Sequence, residues 1–321
     1  MTTTKQKRRV IITQNKKNTK LDIIISILSI YIFILLGYAA KFKLKEQLQE
    51  KSLVIISIYF LQPMFVLWGL NTQSLELIFL KIPFIYLLVA TGAIIISFVW
   101  AKYFFDDTKE RSIVTITTVI GNTGGLGIPL GIALLGEKSV IYLSLINVAS
   151  IFLMYTAGIY FYSRGTFSIK ESLFNIVKLP VIWFSALALL INFSNITIHP
   201  SLFKSLEMGA YTAMVLQLMI FGMYLYSVKL RNINLKLLLH VGVVKYFVIP
   251  LVLILLLPNI GLDKFSIELI ILALIVPLAT ANVNLSSLYD CNPLDVTTLV
   301  FVSSIFFVPY IVAIMYYIDK G

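Results

Sequence analysis

The sequence predicts an all-α integral membrane protein of about ten transmembrane helices, built as two inverted five-helix repeats in which helices 4 and 9 are broken and cross. Three observations predict it. Of 321 residues, 59% are hydrophobic and 13% charged, against roughly 45–50% apolar and about 25% charged in soluble domains, and mean hydropathy is +0.93. The apolar residues fall in long uniform runs divided by short basic gaps, and glycine- or proline-rich interruptions sit in matching runs of the two halves. Backbone amides in lipid must be satisfied within their own segment, so runs of this length form helices and not the short alternating strands of a barrel.

The runs lie at about 22–41, 52–70, 82–104, 112–134, 139–162, 172–193, 202–227, 235–257, 266–287 and 295–318. A leader, residues 1–20, holds seven basic residues and little hydrophobicity, which predicts disorder. The apolar run after it lacks a small-x-small cleavage site and reads as the first membrane helix, not a cleaved signal. KFKLKEQLQEK, Lys41–Lys51, closes that helix and reads as an amphipathic linker with a solvated charged face. The second run carries Gln62-Pro63, a kink with a polar neighbour. Lys81 and Lys102 bound the third. In the fourth, Gly121-Asn122-Thr123-Gly124-Gly125-Leu126-Gly127-Ile128-Pro129 interrupts the helix, because proline removes a donor and glycine makes helix expensive. Asn147, flanked by Ser144 and Ser150, puts a polar stripe on the fifth.

The longest central gap, about 163–171, divides one transmembrane domain, 21–321, into repeats at about 21–163 and 171–319. Five spans per half, an odd number, require opposite insertion of the two halves. The sixth run carries little polar chemistry; the seventh holds Gln217, in the helix that matches the one with Gln62. Lys245 lies near the middle of the eighth, where a charge costs several kcal/mol and is expected to attract an anion, titrate, snorkel, or pair with a carbonyl. The ninth is interrupted at Val276-Pro277-Leu278-Ala279-Thr280-Ala281-Asn282-Val283-Asn284, with Glu268 near its start; Glu268 and Glu76 are the edge carboxylates, both read as interfacial. Thirteen basic residues fall in odd-numbered gaps and four in even ones, which places the odd gaps in the cytoplasm and both termini outside the plasma membrane, although the basic leader counts against that orientation.

Two broken helices crossing at the midplane present partly positive half-helix N-termini, suited to a carboxylate. Asn122, Thr123, Thr280, Asn282 and Asn284 add neutral hydrogen-bonding groups beside them, and Gln62, Asn147, Gln217 and Lys245 are candidates for the pathway or for coupling. One cysteine and two histidines exclude a disulfide framework and a zinc module. The glycine run lacks the ending of a phosphate-binding loop, no nucleophile–base pair suggests an enzyme, and no aromatic-basic interleaving suggests nucleic acid. The expected partners are a small organic anion and the lipid bilayer, with a homodimer left open and no cofactor or metal. Two alternatives stand beside an anion carrier: a sodium-coupled symporter of the same fold, and a membrane sensor that binds a ligand without moving it.

The segment Gly121–Gly165, GNTGGLGIPLGIALLGEKSVIYLSLINVASIFLMYTAGIYFYSRG, strongly resembles the fourth and fifth helices of the auxin efflux carrier family. LQPMFVLWGL, MVLQLMIFGMYL and VPLATANVNLSSLYDCNPLDVTTLVFVSSIFFVP extend the resemblance through most of the chain. It implies two inverted five-helix repeats, a scaffold domain and a mobile domain, and a substrate site at the crossing. Matching the family's motifs there are Asn122, Thr123, Gly124, Pro129 and Pro277. The family includes plant auxin exporters and bacterial permeases proposed for malate and other small carboxylates. The chain lacks the long loop of many plant members, which implies a compact microbial carrier, and the polar run Ala279–Asn284 after the second proline departs from the family's pattern.

Overall fold

The computed structural model describes residues 20–163, 177–226 and 233–320, and the regular elements among them are helical. The principal helices are α1 (Lys20–Leu44), α2 (Glu50–Gly69), α3 (Lys81–Phe104), α4 (Thr108–Thr117), α5 (Thr123–Leu135), α6 (Ser139–Tyr162), α7 (Pro180–Phe193), α8 (Pro200–Tyr226), α9 (Leu235–Ile260), α10 (Lys264–Ile275), α11 (Ala281–Leu288) and α12 (Pro293–Lys320). Among the described residues six helices are long and apolar enough to cross a membrane unaided: α2, α3, α6, α8, α9 and the Pro293–Ile311 part of α12. The fourth and ninth expected runs are each divided, into α4 with α5 and α10 with α11. With 12 residues in α10 and 14 in α7, against roughly 20 for a full span, these shorter helices cannot cross alone. The leader, for which disorder is the expectation, and the central gap fall on residues 1–19 and 164–176, outside the described residues, as do Lys229 and Arg231 of the seventh gap.

Apolar side chains cover the outside as well as the core. Phe60 and Phe84 are 67% and 62% exposed, as on a surface that meets lipid. Inside, α8 packs along α1 and α2, and α2 along α7, while α3 packs on α4 and α6, and α11 on α12. The α1–α8 contact is backbone to backbone: a Cβ on Gly37 would meet the Met219 carbonyl, and one on Gly222 the Ile34 carbonyl. Small residues at such contacts let membrane helices approach where no hydrophobic force draws them together.

Four helices widen locally into π turns, at Ser57–Leu61, Thr123–Gly127, Met154–Gly158 and Val244–Val248. Three of these end two residues before a proline, at Pro63, Pro129 and Pro250. A proline ring would collide with the carbonyl four residues back, and the wider turn moves that carbonyl aside.

The connections sort into two ends. At one, Lys109 pairs with Asp290 at 3.0 Å and the Asn234 Nδ2 donates to Glu110 at 2.6 Å. At the other, Asn192 accepts from the Leu75 N–H at 2.7 Å and donates to the Leu70 carbonyl at 2.7 Å, and Lys138 lies 4.1 Å above the Phe265 ring. The Lys41–Lys51 tract corrects one expectation. Lys41 is not part of a solvated face: it is 8% exposed, pairs with Glu50 at 3.0 Å and donates to the Leu48 carbonyl at 2.8 Å, pinning the end of α1 to the start of α2.

Candidate functional site: the crossing of two interrupted helices

Between α4 and α5 and between α10 and α11 the chain runs extended, and the two stretches pair. Gly121 and Leu278 face each other in a single antiparallel bridge. The Asn122 N–H donates to the Pro277 carbonyl at 2.8 Å, and the Ala279 N–H donates to the Ile120 carbonyl at 3.2 Å. Each break thereby satisfies backbone groups that the other leaves open, as buried amides in a membrane require.

Side chains from neighbouring helices brace the bridge. Asn282, fully buried, donates through Nδ2 to the Ile120 and Ala279 carbonyls at 3.0 and 2.9 Å and accepts from the Tyr162 hydroxyl at 3.0 Å. The Leu278 N–H donates to Ser303 Oγ on α12 at 3.2 Å.

The four half-helix ends at the crossing divide by polarity. The C-terminal ends of α4 and α10 face Lys245 of α9, whose ammonium donates to the Thr118 carbonyl at 3.2 Å and the Leu274 carbonyl at 3.0 Å. Lys245 is fully buried, and the ring of its neighbour Tyr246 lies 5.9 Å away. The N-terminal ends of α5 and α11 face a cavity of about 210 Å³, smaller than the roughly 300–1,000 Å³ that hold drug-sized ligands.

Free donors collect on that cavity. Among the described residues the backbone N–H groups of Gly124, Thr280 and Ala281 have no acceptor, and all three residues line it. The Asn122 Oδ1 caps α5 by accepting from the Gly125 N–H at 3.1 Å, and its Nδ2 has no acceptor among the described residues. Thr123 donates to the Asn147 Oδ1 at 3.1 Å, which fixes that amide with Nδ2 to spare. Gln62, Gln217 and Asn284, with the hydroxyl residues Ser57, Ser150 and Tyr155, complete the polar lining; the Gln62 Oε1 is buried without a partner, and Asn284 accepts from Tyr224 at 3.2 Å. None of the described lining residues is charged.

Gly124 and Gly125 bring main chain against these amides. A Cβ on Gly124 would lie 2.8 Å from the Asn147 Oδ1, and one on Gly125 would lie 2.6 Å from the Asn122 Oδ1 and 2.8 Å from the Gln217 Oε1. A larger residue at either position pushes the amides out of place.

Of the residues singled out in the sequence, Gln62, Asn122, Thr123 and Gly124 line the cavity, as do Asn147, Gln217, Thr280 and Asn284. Pro129, Pro277, Asn282 and Lys245 do not. Pro129 lies in the first turn of α5 after the π turn, and Pro277 contributes its carbonyl to the bridge. Asn282 has its hydrogen bonds committed inside the bridge. Ser144 turns away from the cavity toward Gly69, whereas Ser150 lines it. Glu268 is half-buried on α10 and Glu76 is exposed, and neither lines the cavity. The sequence did not single out Tyr162 or Ser303, the two braces. The paired Ser303-Ser304 in an apolar run was the one signal for either.

Comparison with known proteins identifies the family. The sequence pattern of a family described as membrane transport protein matches residues 22–316. The chain is also similar to a protein named as an uncharacterized transporter in Methanocaldococcus jannaschii, with 26% identity over 209 residues, 62% of this chain and 68% of the relative.

Proposed function

The chain belongs to the membrane transport protein family, that of the auxin efflux carriers whose motifs it resembles, and from that premise we propose that it is a secondary carrier of small organic anions. It works by alternating access around the crossing. One observation carries the choice of an anion: three unpaired amide N–H groups, from the starts of two different half-helices, converge with side-chain amides on one uncharged cavity. Helix N-termini favour negative charge, and donors fixed in place before the ligand arrives need no reorganisation to bind it. The volume suits a small carboxylate.

The ten-crossing, inverted-repeat plan is part of this proposal. Contacts that join the third expected gap to the seventh and ninth at one end, and the second to the sixth and the fourth to the eighth at the other, support it. So does an aspartate cap at the head of each interrupted span: Asp107 accepts from the Glu110 N–H at 2.8 Å and Asp263 from the Ser266 N–H at 3.2 Å. In this plan α1, α2, α7 and α8 form a scaffold against which the remaining helices move. The cavity reaches from the crossing past Val54 and Leu179, toward the end with the basic gaps. By the positive-inside rule that end is cytoplasmic, the termini are extracytoplasmic, and the carrier faces inward in the plasma membrane.

The test is accumulation of radiolabelled malate, lactate and indole-3-acetate in liposomes that carry the purified protein, under an imposed pH gradient, an imposed sodium gradient or neither. Protein-dependent flux of one acid, abolished in Asn122→Ala, is the expected result. Absence of flux for every acid, with saturable binding of one of them retained, would replace the carrier by a ligand sensor.

A further inference from the structure

We propose that the Lys245 ammonium is the resident cation of the crossing, filling the place that a coupling sodium ion would take, so that the carrier runs without sodium. The inference rests on the carrier reading for its meaning but not for its test.

The half-helix C-termini of a broken-helix carrier present carbonyl oxygens with partial negative charge, and such oxygens are the ligands that hold alkali ions in transporters of this kind. Here one carbonyl from each interrupted helix, Thr118 after α4 and Leu274 in the last turn of α10, is taken by a single ammonium at 3.2 and 3.0 Å. The two helix ends that meet it bring no carboxylate, and α12, which also packs on α9, bonds Tyr246 through the Ser303 carbonyl. Beside Lys245, α4 offers the Thr118 hydroxyl, which is 2.8 Å from Ser97 Oγ, and α10 offers apolar residues. The side chain is fully buried and absent from the cavity lining, so its charge is neither spent on a salt bridge nor offered to the ligand. What remains for it to neutralise is the pair of helix ends.

Placement on α9 fixes this arrangement. The Val244–Val248 π turn, two residues before Pro250, widens the helix where Lys245 leaves it, and such turns recur at functional sites. A lysine tethered there cannot dissociate, whereas a free ion leaves and returns with each transport cycle. The same carbonyls therefore receive their positive charge without any dependence on external sodium.

The experiment is thermal unfolding of the purified, substrate-free full chain in sodium, potassium or choline chloride at one ionic strength, with equilibrium binding of radioactive sodium alongside. Wild type is expected to unfold at the same temperature in all three salts and to bind no sodium saturably. Lys245→Ala is expected to lose several degrees in choline and to recover most of the loss in sodium or methylammonium, a rescue that a merely structural lysine would not give. Saturable sodium binding by wild type, or a variant that no cation rescues, overturns the proposal. If Lys245→Ala cannot be purified in any salt, the wild-type binding result decides alone. Because no organic anion enters these measurements, their outcome is independent of whether malate or any other acid is carried.

Discussion

The two interruptions look alike in the sequence, each a small-residue or proline break that carries asparagine, yet they carry different loads. At the first, Asn122 stays at the cavity wall, caps α5 through one amide atom and keeps the other free. At the second, Asn282 is wholly buried and both amide atoms are committed, to two carbonyls and to Tyr162. The first break therefore keeps a spare amide on the cavity, and the second is the strut that holds it in register. Local sequence alone does not divide the labour this way; the division follows from which helix stands behind each break.

Asn282→Leu should break the comparison most severely. It leaves the buried Tyr162 hydroxyl without its acceptor and strips the side-chain donor from the Ile120 and Ala279 carbonyls, which keep only the Ala279 and Asn282 N–H groups, and at about 1–3 kcal/mol for a buried unsatisfied group the loss is about 1–3 kcal/mol. Thermal unfolding in detergent should show a large drop, and an unchanged midpoint would remove the strut from this account. Asn122→Ala sharpens the contrast from the other side. Loss of a helix cap costs about 1 kcal/mol, so the protein should fold, while carboxylate uptake falls at least about tenfold, the equivalent of about 1.4 kcal/mol of binding. Equal effects of the two substitutions on uptake, at equal stability, would erase the distinction.

The smallest effect belongs to Asp263, at the head of α10 outside the membrane. Hydrogen bonding from Ser266 holds its carboxyl below the usual carboxylate range. The stability it adds is therefore present above the pKa of an unfolded aspartate and is lost as pH falls through its lower folded value. Asp263→Asn should be less stable than wild type near neutrality and converge on it in acid. Parallel curves at all pH values would show that the cap contributes nothing through its charge.

Much of this molecule was legible in advance, for identifiable reasons. Apolar runs announce helices because lipid leaves the backbone no other solution, and the breaks at Gly121–Pro129 and Val276–Asn284 announce themselves through residues that helices tolerate poorly. The amides that collect at the cavity could be named because polar side chains are rare in these runs. The bridge brace could not. Its donor, Tyr162, lies 120 residues from Asn282 and on a different helix, and no periodicity connects them. Lys41 was misjudged for a similar reason: its stretch of sequence reads as exposed, and only the fold of α1 back toward α2 covers it. For Lys245 the sequence offered four fates, an anion, a proton, a snorkel to the interface or a carbonyl, and the choice depended on two helix ends meeting in space.

The neutral lining of the cavity has an electrical consequence. Over a complete cycle every charge belonging to the protein, Lys245 included, returns to its starting place, so the current per turnover is set by the cargo and by whatever travels with it. Among the described lining residues Tyr155 is the one titratable side chain, and no carboxylate, histidine or lysine stands there to seat a proton. A monocarboxylate carried alone then moves one full negative charge, worth about 2.3 kcal/mol per 100 mV of membrane potential. In the carrier proposed above, a negative cell interior drives that charge outward and so favours export.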